Sequence, residues 1–119
     1  MWPFSKRRRP PEQLEQPSLE FLGEQDGPPE QVLKSKISDV LSRQPTVVRA
    51  YLCRVRYQAE GEDSVALAVS GPEDLIVVDE IGKVFWATFG RECFLDIMFI
   101  GSDQESRLDQ VCRPFYSAG

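Results

Sequence analysis

The chain has no histidine among its 119 residues. That absence removes Ser-His and Cys-His activation of a nucleophile, the commonest general base near neutral pH, and the usual nitrogen ligands of zinc. Cysteine is scarce as well: Cys53, Cys93 and Cys112 are odd in number and far apart, with no CxxC pair to form a metal knuckle or a redox dithiol. They read as reduced, buried thiols of a cytosolic protein. No run of about 18 apolar residues occurs, so no transmembrane helix is expected. The opening Met1-Trp2-Pro3-Phe4-Ser5-Lys6-Arg7-Arg8-Arg9 sets its bases after its aromatics with no apolar stretch behind them, which is not signal-peptide order. A cytoplasmic location follows as the expectation.

Glycine-rich loops are missing too. Gly82, Gly90 and Gly101 do not cluster, and Gly82-Lys83 lacks the upstream glycine and the following Ser or Thr of a Walker motif. Asp79 and Glu80 are adjacent, so on a helix they point about 100° apart and cannot share a substrate as a carboxylate dyad. From these residues no catalytic centre, cofactor or metal site is expected, and an enzyme is not the favoured reading.

What is present is an ordinary globular composition, 41% hydrophobic and 28% charged, with a net charge of −5. The charge is unevenly spread. Lys6, Arg7, Arg8 and Arg9 stand in a segment without acids, whereas the remaining 110 residues hold 10 bases against 19 acids. An acidic body repels phosphates, so nucleic acid is not an expected partner, and a basic protein or peptide suits the body better. Trp2 and Phe4 beside the four cations give the arm the chemistry of a weak membrane-surface contact, with a solvated basic tail as the simpler reading.

Prolines at 3, 10, 11, 17, 28 and 29 lead us to expect a disordered arm over 1–29 and a single α/β domain over 30–119. Within the arm, Leu19, Phe21 and Leu22 form an apolar cluster able to dock on the body or a partner. Leu33, Ile37, Val40 and Leu41 recur at helical spacing and predict a helix over about 30–44, ended by Pro45. Residues 46–58, with Val47, Tyr51, Cys53, Val55 and Tyr57 on one face interrupted by Arg49, predict a strand, and 64–70 a second, joined as an antiparallel hairpin. The stretch 75–89 fits either a helix or a hairpin around Gly82, the helix favoured. Residues 93–100 predict a strand and 103–112 a short helix closed by Pro114. The order α-β-β-α-β-α implies an α+β fold: a small, mainly antiparallel sheet with helices packed on one face. Phe115 and Tyr116 are too large an apolar pair to leave in water, so the chain should be pinned at that end.

Asp96 interrupts the apolar run Phe94-Leu95-Asp96-Ile97-Met98-Phe99-Ile100, where an unpaired buried carboxylate would be costly. It is expected at the sheet surface, or paired with Arg49 or Arg54. A binding role would join Asp96, Arg49, Arg54 and a tyrosine, Tyr51 or Tyr57, since arginine and carboxylate together hold an anionic or amide ligand without histidine.

Three stretches in order resemble the C-terminal domain of the enhanced serine sensitivity protein SseB family. They are Val47-Val48-Arg49-Ala50-Tyr51-Leu52 after a helix ending in proline, Cys93-Phe94-Leu95-Asp96-Ile97-Met98-Phe99, and Arg113-Pro114-Phe115-Tyr116. The likeness spans Ser35 to Tyr116. It implies an α/β domain in which the Pro114-Phe115-Tyr116 end packs on the sheet, and it carries no catalytic residues. A charged, proline-rich arm stands where that family usually has an N-terminal SseB-type domain. The function expected is a non-enzymatic protein-binding or regulatory module; the alternative is a small-ligand protein or enzyme built on Asp96.

Overall fold

Proline in the first helical turn needs no amide partner, and Pro28 and Pro29 stand there at the start of α1 (Pro28–Leu41). Leu33, Ile37, Val40 and Leu41 form its buried stripe. The helix stops at Leu41, three residues short of the expected end, because a residue before proline is driven out of the helical region; a turn closed by Arg43 N–H to Val40 O and Gln44 N–H to Leu41 O leads into Pro45. The structure, a computed structural model, describes residues 20–56, 63–90 and 95–118.

Before α1 lies β1 (Glu20–Glu24), and after it come β2 (Arg49–Arg56), β3 (Asp63–Ser70), α2 (Leu75–Phe89), β4 (Asp96–Ile100), α3 (Ser102–Asp109) and the short β5 (Tyr116–Ser117). The five-stranded sheet has the order β1-β2-β3-β4, with β5 also on β2. All pairs are antiparallel except β3 with β4. A parallel pair needs a crossover, and α2 supplies it. That settles 75–89 as a helix: Val77, Ile81 and Phe85 bury one stripe of it, and the Asp74 side chain caps its start by accepting from Ile76 N–H at 2.9 Å.

β2 and β3 are the central strands, apolar on both faces. On one face Ala50 and Leu52 join Leu67 and Val69 under α1 and α2. On the other, Tyr51, Cys53 and Val55 join Ala66 and Ala68, with Leu108 of α3. The expected single helical layer is therefore corrected: two helices cover one face and α3 the other, because two apolar faces both need cover.

The domain boundary at 30 is corrected too. Residues 1–19 of the expected arm lie outside the described residues, but Glu20–Glu24 pair with β2, with a bulge between Phe21 and Gly23. Proline spacing argues against regular structure only where prolines stand, and none occurs between Pro17 and Pro28. Of the apolar cluster of the arm, Phe21 packs on the α3-side core, and Leu19 lies outside the described residues. Cys93 and Tyr57 fall outside the described residues.

At the other end, Phe115 and Tyr116 pack against the main core, each half-buried. Phe115 N–H donates to Ala50 O at 2.9 Å, Ala118 N–H to Val48 O at 2.8 Å, and the Tyr116 hydroxyl to Leu41 O at 3.2 Å.

Gly71 turns the chain out of β3 with φ +147°, and a Cβ there would lie 2.5 Å from the backbone oxygen of Thr46. Neither the dihedral nor the carbonyl can give way cheaply. Gly71→Ala is expected to cost about 2 kcal/mol in urea unfolding, with an unchanged midpoint marking the turn as adaptable.

Candidate functional site

Strand alternation sends Arg49 and Tyr51 of β2 to the face beneath α3. There they meet Glu105, a buried carboxylate in the first turn of α3, where the helix dipole favours an anion. Glu105 Oε2 accepts from Arg49 Nε at 2.5 Å and from the Tyr51 hydroxyl at 2.7 Å, and Oε1 accepts from Ser70 Oγ at 2.9 Å. The Tyr51 hydroxyl also lies 2.7 Å from Asp109 Oδ1, one helical turn after Glu105. Its single hydrogen serves one carboxylate at a time.

The hydrogen bond from Arg49 dominates the electrostatics of Glu105, outweighs the cost of burial, and with the tyrosine and serine donors holds the carboxyl at about 2. Burial, reinforced by the two carboxylates, pushes the Tyr51 phenol well above its usual value, and Glu105 raises that of Arg49. Near neutral pH the cluster is thus a fixed carboxylate, guanidinium and neutral phenol. Three donors from β2 and β3 converge on the Glu105 carboxylate and tie α3 to both strands.

Of the four residues singled out from sequence, the structure brings together only Arg49 and Tyr51. Arg54 points to the opposite face by strand alternation and lies 3.8 Å from Asp63 Oδ2. Asp96 is half-buried on the α3 side at the start of β4, level with Ala66, whereas Arg49 is level with Ser70 and Ile100, four residues further along. Sequence reasoning missed Glu105, Ser70 and Asp109. A signal was available: Glu105 stands three residues before Leu108, on the apolar stripe of α3, and Arg49 interrupts the apolar face of β2, so each needed the other.

Cys53 and Cys112 lie buried in the same core, and burial pushes each thiol up to about 12. They remain protonated and unreactive. Among the described residues no group of three His, Cys, Asp or Glu side chains is placed to share a metal ion.

A second feature lies on the other side of the sheet. Leu75, Gly82 and Trp86 of α2 face Leu95, just before β4, and Ile97 within it across an apolar groove of about 390 Å³. Leu75 is 75% exposed, Ile76 67% and Trp86 39%. A wider, open depression of about 720 Å³ lies between α1 and α2, lined by Ser35, Asp39, Arg43 and Thr88 together with Val40, Val84 and Ala87. The arrangement at α2 is unusual for a free surface, since large apolar side chains gather beside the sheet edge instead of scattering.

No helix among the described residues is long and apolar enough to cross a membrane. No curated protein and no solved structure matches the chain. A family model does: that of the SseB protein C-terminal domain matches residues 19–117, from one residue before β1 to the end of β5, and the chain belongs to that family.

Proposed function

We propose that this chain is a non-enzymatic protein-binding module of the cytoplasm, with the α2–β4 groove as its docking surface. One observation carries the reading: the exposed side chains of Leu75 and Trp86 line an apolar groove against Leu95 and Ile97 at the sheet edge, with exposed Ile76 next to Leu75 in sequence. Burying such side chains against a partner stabilises a complex by roughly 1.5–3 kcal/mol each when burial is complete. The polar cluster beneath α3 supports a ligand-binding reading less well, because its buried carboxylate, Glu105, already takes three donors from within the fold.

The test compares full-length protein with a Leu75→Glu/Ile76→Glu variant as baits in the native host. Both side chains are exposed, so the variant should melt as the parent does. A partner retained by the parent and reduced about tenfold on the variant is the expected result. Equal recovery on both baits, or turnover of a small substrate by the purified chain, would sink the proposal.

A further inference from the structure

Resting on that reading, we infer that the partner completes the sheet: an extended segment, apolar at alternate residues and carrying Lys or Arg, pairs with the outer edge of β4 and lays side chains into the groove.

The two edges of the sheet differ in a way that singles out β4. The outer side of β2 is covered by β1 and β5, both short; β1 is bulged and begins and ends on Glu20 and Glu24. Charges and bulges of this kind are how proteins blunt an edge against further pairing. β4 has none of them after its first residue. Ile97, Met98, Phe99 and Ile100 follow one another without Lys, Arg, Pro or Gly, and pairing with β3 runs unbroken from Asp96 with Ala66 to Ile100 with Ser70. Among the described residues no strand pairs with the outer side of β4. Ile97, Met98 and Phe99 are half-buried where the central strands are fully buried.

Charge decides among occupants. Residues 71–100 carry six acids against two bases, and one of those bases, Lys83, is held by Asp79 at 3.2 Å and by Glu80 at 3.7 Å. A second copy would set −5 against −5 and place the same acids opposite one another. A helix laid in the groove would bury Leu75 and Trp86 yet offer no main-chain partners to the outer edge of Ile97 to Ile100. An extended basic-apolar segment meets all three needs: main-chain partners, apolar side chains at alternate positions, and cations near the acids.

The experiment titrates full-length protein into three fluorescent peptides of about ten residues: alternating Val-Lys, the same peptide N-methylated at alternate residues, and alternating Val-Glu. The Val-Lys peptide should bind, and N-methylation should weaken it about tenfold at unchanged charge, because it removes the hydrogens that pair with β4. Asp79→Lys/Glu80→Lys and Leu75→Glu/Ile76→Glu should each weaken it by a similar factor. Equal binding of the N-methylated peptide overturns strand addition, and equal binding of Val-Glu overturns the basic chemistry. If the Leu75/Ile76 variant still loses its native partner in either case, the docking reading survives alone; if it does not, both fall. A dimer in sedimentation that the same variant splits would assign the edge to a second copy. Tighter peptide binding after Trp2→Ala/Phe4→Ala would assign it to the chain's own N-terminal segment. Either result overturns the inference.

Discussion

Ending the chain after Arg113 is expected to lower the melting temperature by about 15–20 °C. The truncation removes two half-buried rings from the main core, worth about 1–1.5 kcal/mol each on the scale for full burial, and three main-chain and hydroxyl hydrogen bonds to Ala50, Val48 and Leu41. Entropy recovered by the residues no longer held offsets part of this, leaving a loss of about 3 kcal/mol. For a domain of about a hundred residues each kcal/mol moves the midpoint by roughly 4–8 °C. Phe115→Ala alone should give about a third of the effect, since it keeps the β5 pairing. An unchanged midpoint in the truncated chain would mean that the end contributes nothing.

Glu105→Ala should be as damaging, at about 3 kcal/mol. It leaves the Ser70 hydroxyl buried without its acceptor and Arg49 without its counter-ion, although Arg49 is 39% exposed and recovers part of its loss in water. The Tyr51 hydroxyl keeps Asp109. Glu105→Gln preserves shape and some hydrogen bonding and should cost less, about 1–2 kcal/mol. The pair also separates charge from packing through pH. The carboxyl sits at about 2 in the folded chain against an ordinary 4.5, so the unfolded chain binds the extra proton between these values. The contribution of Glu105 is complete above about 4.5 and lost as pH falls towards about 2. Urea midpoints across that window should fall less steeply for Glu105→Gln than for the parent. Parallel slopes would show that Glu105 titrates normally in the folded state.

Much of this architecture was legible because periodicity is local. The stripe Leu33-Ile37-Val40-Leu41 and the alternation across β2 and β3 name their elements without outside help. Leu75–Phe89 was ambiguous because an apolar run around one glycine suits either period, and only the parallel pairing of β3 with β4 demands a helix there. β1 was hidden by the prolines that flank it, and the second helical layer was implicit in residues 65–69, apolar on both faces and so in need of cover on each. The Glu105 cluster joins contacting residues up to 58 apart in sequence, a separation at which no motif exists to be read. The groove was invisible for a different reason: whether Leu75 and Ile76 face the core or water depends on how α2 rolls on the sheet, which Val77, Ile81 and Phe85 decide.

β1 and β5 share one side of β2 and run in the same direction, β1 beginning opposite Arg56 and β5 ending opposite Arg49. The chain therefore enters the fold at one end of β2 and leaves it at the other. Tension between the two ends would act along β2 and load the ladder hydrogen bonds side by side, in shear, instead of peeling them one after another. Joined in line between an upstream segment and whatever follows, the domain would carry a pull along its central strand, leaving β4, on the far side of β3, outside the line of force.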